Sequence, residues 1–355
     1  MKCNLDCSYC GTDLYNGGHN NSMPHPKLQQ CLDSLDFMFE YVDLYMSQRI
    51  QNLRYVVLNV YGGESLYHPD IVEILQQVRT KYQKYQQNWH LTVTTTTNAI
   101  VSDKQLEKII PLIDEFTVSY HSEASEKQKQ QFKQNVLSIT RAGKRIKCIV
   151  LMHAETSLFE DSQLMINWLT AHNIQHLPRQ LDHSQDRTDL NYDSHQVTWF
   201  ESLYKSKSRA KEITMPALSI DTHGQVDLAD TGRACCGGRQ MCENSNYKDR
   251  KFYVSNKFSG WYCSVNHFFL HVKQVTGEIF VNKDCKMNFD GTVSPIGTLD
   301  RAAELIQNTR QQLENNTLPV IQCAKTRCYC GLCSPKSNSL DTYHSIMKKY
   351  QKKAL

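Results

Sequence analysis

An α/β fold is predicted for the first half of this 355-residue chain, with a parallel sheet or barrel, followed by a small cysteine-rich C-terminal domain containing β-hairpins. Three observations predict it. From residue 55 to about 178, β-rich runs alternate with polar segments carrying apolar residues at helical spacing, the pattern of βαβ units with right-handed crossovers. After residue 183 the alternation stops and two hairpin-like units follow. The fourteen cysteines are also bunched, three in the first ten residues and nine between Cys235 and Cys333.

Taken in order, Cys3-Asn4-Leu5-Asp6-Cys7-Ser8-Tyr9-Cys10 spaces three thiols as C-x3-C-x2-C. A closed structural cluster takes four protein thiolates, so three leave one iron open to an outside ligand. A zinc half-site or three incidental thiols are the alternatives. Strands are expected at 55–60, 91–96, 116–120, 146–152 and 174–177, where Val, Ile, Thr and Tyr are frequent, as in buried parallel strands. Helices are expected at 69–85, 103–113, 126–142 and 161–172. Cys31 and Cys148 fall in a helix and a strand candidate and read as inert core residues.

Parallel βα units carry function at the carboxyl ends of their strands. At those ends the sequence holds Tyr61-Gly62-Gly63-Glu64, then Thr96-Thr97-Asn98-Ala99, then Ser119-Tyr120-His121-Ser122-Glu123. Singly, each has a plain reading: a tight turn, a capping carboxylate, an ordinary threonine-rich strand. Their order is more informative than any one of them.

Together these residues resemble the radical S-adenosylmethionine (SAM) superfamily, whose signature is this triplet with an aromatic before its last cysteine, as Tyr9 is. The resemblance implies a partial (β/α)6 TIM-like barrel over residues 1–183, and a four-iron, four-sulfur cluster on Cys3, Cys7 and Cys10. Gly62-Gly63-Glu64 is similar to the family's GGE motif, and Asn98 ends a TNG-type strand. Contacts to SAM are implied for Tyr9, Gly62, Gly63, Glu64, Thr96, Asn98, Ser119 and His121, with Tyr120 and His121 as candidates to act on substrate. The family places a β-strand before its triplet; here only Met1 and Lys2 precede it, so the expectation is a truncated or mis-assigned start and a barrel lacking its first strand.

Residues 184–215 read as a linker with one helix, 216–340 as the cysteine-rich domain, and 341–355 as a lysine-rich amphipathic surface helix. One hairpin is expected from 218–221 and 226–228, another from 268–273 and 278–282 around Gly277. Cys323-x4-Cys328-x-Cys330-x2-Cys333 packs four thiols into eleven residues, a strong ligand signal. With Cys235, Cys236 and Cys242 upstream, and Cys263 and Cys285 flanking the second hairpin, the region resembles the SPASM or twitch extensions of radical SAM enzymes. The resemblance implies one or two auxiliary iron–sulfur clusters on Cys236, Cys242, Cys263 and Cys285 and on Cys323, Cys328, Cys330 and Cys333. A structural zinc on the terminal group is the alternative.

Hydrophobic residues make up 40% of the chain and the formal charge is +4, with the basic residues dispersed, so nucleic-acid binding is not indicated. Apolar runs are too short to span a bilayer, and a cytoplasmic protein is expected. The resemblance implies an enzyme that cleaves SAM reductively and takes a hydrogen atom from a peptide or protein side chain, fed by a reductant such as ferredoxin or flavodoxin. A small-molecule substrate, or a non-catalytic zinc or iron–sulfur binding protein, are the competing readings.

Overall fold

A computed structural model of the protein describes residues 2–10, 24–47, 55–181, 191–207, 219–220, 226–227, 259–282, 288, 292, 294–315, 317–324 and 336–348. The helices and strands of the first part run α1 (Leu28–Ser47), β1 (Tyr55–Val60), α2 (Ile71–Tyr82), β2 (His90–Thr97), α3 (Asp103–Ile109), β3 (Glu115–His121), α4 (Glu126–Arg141), β4 (Arg145–Met152), α5 (Thr156–Ala171), β5 (His176–Gln180) and α6 (Ser194–Lys207). Contacts divide the chain into two compact units, residues 1–28, 55–84 and 90–210 in one and 29–54, 85–89 and 211–355 in the other. Most of α1 thus belongs with the C-terminal residues.

In the first unit five parallel strands form one sheet in the order β1-β2-β3-β4-β5. Sequential order with a helix between strands is the βαβ pattern expected, and it is consistent with a partial barrel. One face of the sheet is packed: Leu91 and Val93 of β2, Phe116, Val118 and Tyr120 of β3, and Cys148, Val150 and Met152 of β4 are all buried. Tyr120 meets Phe132 of α4 and donates from Oη to Asp161 of α5 at 2.6 Å, so these helices cover that face. On the other face, pairing aligns Asn59, Thr94, Glu115 and Arg145, then Thr96, Thr117 and Lys147, then His121, Leu151 and Arg179. That face mixes these polar and charged side chains with Val57, Ile149 and Leu151.

Local chemistry explains several element ends. Ser125 caps α4 in a reciprocal capping box with Gln128, and Ser102 caps α3 by accepting from Gln105 N. Helix α3 stops at Ile109 rather than at 113, because Pro111 has no N–H to extend the ladder and the chain tightens into a 3-10 turn over Ile110–Leu112. Helix α5 begins at Thr156, five residues before the expected start, with no side-chain cap at Glu155 to announce it. Strand β5 lies at His176–Gln180 rather than 174–177. Its Pro178 opposes Val150 on β5's one paired side, and among the described residues β5 is an edge, where proline is tolerated.

In the second unit, β6 (Ser219–Ile220) pairs antiparallel with β7 (Val226–Asp227), the first expected hairpin. After β8 (Tyr262–Cys263) and a short helix α7 (Val265–Phe268), β9 (His271–Lys273) pairs antiparallel with β10 (Glu278–Phe280), the second. Phe268 ends α7 instead of starting a strand, and Gly277 turns the hairpin at φ 72°. β11 (Gly297–Thr298) extends that sheet, α8 (Ala302–Glu314) follows, and β12 (Ile321–Gln322) and β13 (Lys336–Ser337) flank β8. α9 (Leu340–Lys348) is the described part of the expected C-terminal helix. Phe37, Tyr41 and Tyr45 of α1 share a core with Val272, Ile279 and Ile306. No described helix is long and apolar enough to cross a membrane.

Candidate active site

The loop of residues 2–10 lies against the carboxyl ends of the strands, where successive contacts pin it. Glu64 N donates to Lys2 O at 3.1 Å. Asn4 is held three ways: its Oδ1 accepts from Asn98 Nδ2 at 2.6 Å, its Nδ2 donates to Ile100 O at 2.6 Å, and its carbonyl accepts from Gln128 Nε2 at 3.2 Å. Glu123 accepts from Ser8 twice, from the peptide N at 2.8 Å and from Oγ at 2.5 Å. The ends of β1, β2 and β3 and the first turn of α4 therefore fix the loop that carries Cys3, Cys7 and Cys10.

Strand β1 ends in a turn that demands glycine, since Gly62 has φ 112° and Gly63 φ 50°, where a Cβ is disfavoured by roughly 1–2 kcal/mol. Glu64 follows and is fully buried. Its Oε1 accepts from Leu66 N at 3.0 Å and Thr97 Oγ1 at 2.5 Å, and its Oε2 from Asn98 N at 2.6 Å. Burial outweighs these donors and pushes its pKa up to about 7. The carboxylate thus staples the end of β1 to the end of β2, through Thr97 rather than through Thr96, which is exposed on the polar face. Asn98 spends its side chain on Asn4 and on Ile100 N, the latter at 2.9 Å.

His121 is half-buried and its pKa is lowered to about 4 by desolvation, so the ring is neutral. Ser119 Oγ lies 3.3 Å from Thr97 O and 2.9 Å from His121 Nε2. A hydroxyl donating to that carbonyl accepts from Nε2–H, which leaves Nδ1 as an acceptor. Nδ1 lies 2.9 Å from Tyr9 Oη and 3.3 Å from Cys7 Sγ. The Tyr9 ring runs parallel to the imidazole, and His153 stands on its other flank at 6.0 Å between centroids.

Burial raises the pKa of the Cys3 thiol and pushes that of Cys7 up to about 12, Glu123 being the next largest cause for Cys7. The charge of Cys10 raises both further, and that of Cys3 adds to the shift of Cys7. Three thiols on one pinned loop fit a four-iron cluster, whose ligands sit on separate irons. Among the described residues no group of three or more His, Cys, Asp or Glu surrounds a single ion.

Of the residues expected from sequence, Cys3, Cys7, Cys10, Tyr9, Gly62, Gly63, Glu64, Asn98, Ser119 and His121 come together at these strand ends. Thr96 is on the same polar face. Tyr120 is not: alternation in β3 turns it to the packed face, with its hydroxyl on Asp161. Asn4, Thr97 and Glu123 were not named as site residues from sequence, although Thr97 and Glu123 fall within the strand-end runs quoted there. In the second unit Cys263 and Cys323 are both buried in one apolar cluster with Val265, Val281 and Ile321. Cys263 pairs with Ile321, and Cys323 N donates to Trp261 O at 2.8 Å, so the two cysteines share a face of the sheet. Cys235, Cys236, Cys242, Cys285, Cys328, Cys330 and Cys333 lie outside the described residues.

Residues 1–154 match the model of the radical SAM superfamily. No curated protein matches the chain. Among solved structures, native anSMEcpe with bound AdoMet is 10% identical, with 88% of this chain and 80% of that one covered and a TM-score of 0.50. Streptococcus suis SuiB bound to precursor peptide SuiA is 14% identical, with 87% and 64% covered and a TM-score of 0.46. At such identities the first likeness is one of fold.

Proposed function

Residues 1–154 belong to the radical SAM superfamily, whose members are enzymes, and from that premise we propose that this chain cleaves SAM reductively and directs the chemistry at a C–H bond of a peptide or protein side chain. The observation that carries the reading is the pinned loop, which holds three thiols against the ends of β1, β2 and β3, next to Gly62-Gly63-Glu64 and Asn98. Cys3, Cys7 and Cys10 would hold a four-iron cluster, which would supply one electron from an external reductant for cleavage of SAM into methionine and a 5′-deoxyadenosyl radical.

The protein's own residues bind and shield. The glycine pair lets backbone approach the cofactor closely, and Glu64 keeps unused acceptor capacity beside its three donors, suited to an ammonium group. Thr96, Ser119 and His121 face the polar side of the sheet, where hydroxyl and imidazole groups suit a ribose. Neutral His121 holds the Tyr9 hydroxyl, so the ring beside Cys10 has one orientation. Burial of Glu64 and Tyr9 keeps water away from those two side chains.

The peptide substrate is inferred from the second unit. Cys263 and Cys323, side by side on one sheet face, support an auxiliary cluster of the SPASM kind, the extension that the cysteine pattern resembles. They come from the two cysteine sets that sequence reading kept apart, so a shared cluster is the better grouping. A cytoplasmic setting and a ferredoxin or flavodoxin as electron donor belong to the same proposal.

Anaerobic reconstitution, iron and sulfide counting and detection of 5′-deoxyadenosine with dithionite test it. Wild type is expected to release 5′-deoxyadenosine, and Cys7→Ala to lose that release while keeping the auxiliary iron. Zinc in place of iron, or retained cleavage in Cys7→Ala, overturns the assignment.

A further inference from the structure

Ser8 stands between two of the three cysteines, and both of its donors are taken by one carboxylate, that of Glu123. Among the described residues Glu123 is in no ion pair. We propose that Glu123 is a positioning residue that sets the reduction potential of the iron–sulfur cluster bound by Cys3, Cys7 and Cys10, by holding a negative charge against the cluster loop. The inference rests on the cluster reading given above.

Two effects act in the same direction. A fixed anion beside a cluster makes an added electron less favourable, which lowers the potential. The Ser8 N–H is also committed to the carboxylate and is withdrawn from donating to cluster sulfur, a contact of the kind that raises potentials. The carboxylate is itself held in place. Glu123 lies two residues before Ser125, the cap of α4, and a helix amino end favours an anion there. A strongly reducing cluster is what cleavage of a sulfonium C–S bond requires, so the loop clamp and the chemistry are one device.

Spectroelectrochemistry of the reconstituted full chain tests this, read on the EPR signal that changes when SAM is added, with iron counted in the same samples. Glu123→Gln keeps an acceptor for Ser8 and removes the charge; it is expected to keep wild-type iron content and to move the midpoint to more positive potential. Ser8→Ala keeps the charge and is expected to leave the midpoint near wild type. An unshifted midpoint in Glu123→Gln, or equal shifts in the two variants, overturns the proposal. If Glu123→Gln takes up no iron, Glu123→Asp carries the test, because it retains the charge: a wild-type midpoint supports the proposal and a positive shift overturns it. If wild type itself shows no SAM-responsive iron signal, the cluster reading fails instead.

Discussion

Glu64 shows how one buried carboxyl couples the site to stability. Its folded-state pKa of about 7 lies above the ordinary 4.5, so between these values the folded chain holds a proton that the unfolded chain releases. The resulting stability is fully present below pH 4.5 and is lost as pH rises through 7, on the order of 3 kcal/mol in all. Urea midpoints of the metal-free protein are expected to fall across that window, and to lose most of this pH dependence in Glu64→Gln. At low pH that variant is also expected to be about 1–3 kcal/mol weaker, since an amide NH2 would face Asn98 N–H or the Thr97 hydroxyl. Ala99 carries a different strain: it is fully buried at φ 55°, in the left-handed region. Ala99→Val is expected to cost about 2–3 kcal/mol, measured by denaturation, because a β-branched side chain fits neither that backbone nor that space.

At the scale of elements, the loop of residues 2–10 depends on contacts from several strand ends, with Asn4 making three of them. Asn4→Ala removes two side-chain bonds worth about 0.5–1.5 kcal/mol each, so iron retained after desalting is expected to drop several-fold while the melting temperature moves little. Much of this architecture was legible. Strand β1 lies where the Tyr-Val-Val-Leu-Asn-Val run put it, β2 and β3 run one residue further than expected at both ends and β4 one residue further at its start, because alternation and β-branching agree there with burial. Strand β5 and the start of α5 were displaced, the first because Pro178 argues against a strand that tertiary pairing nonetheless makes, the second because Glu155 offers no capping bond. The cysteines, glycines, Glu64 and Asn98 were readable because chemistry needs those types at that spacing. Asn4, Thr97 and Glu123 were not, since their roles exist only across separations such as the 115 residues between Ser8 and Glu123.

For the whole molecule, the cofactor should matter thermodynamically only after the cluster is in place. Anaerobic thermal scans are expected to show SAM raising the melting temperature of the reconstituted protein, equivalent to about 2.7 kcal/mol at a hundredfold excess over Kd, and not that of the metal-free protein or of Cys7→Ala. Equal shifts in all three would mean that SAM binds without the iron. The sheet order β1-β2-β3-β4-β5 has a temporal consequence as well. Each βα unit can dock on its predecessor as the ribosome delivers it, so this sheet can grow from one end. The cysteine loop cannot follow that schedule, for although residues 3–10 are made early, their partners include Glu123 and Gln128. These thiols therefore gain their first holding contacts only when Glu64, Asn98 and Ile100 are made, and the last only with Glu123 and Gln128, and metallation belongs after that point in the life of the chain.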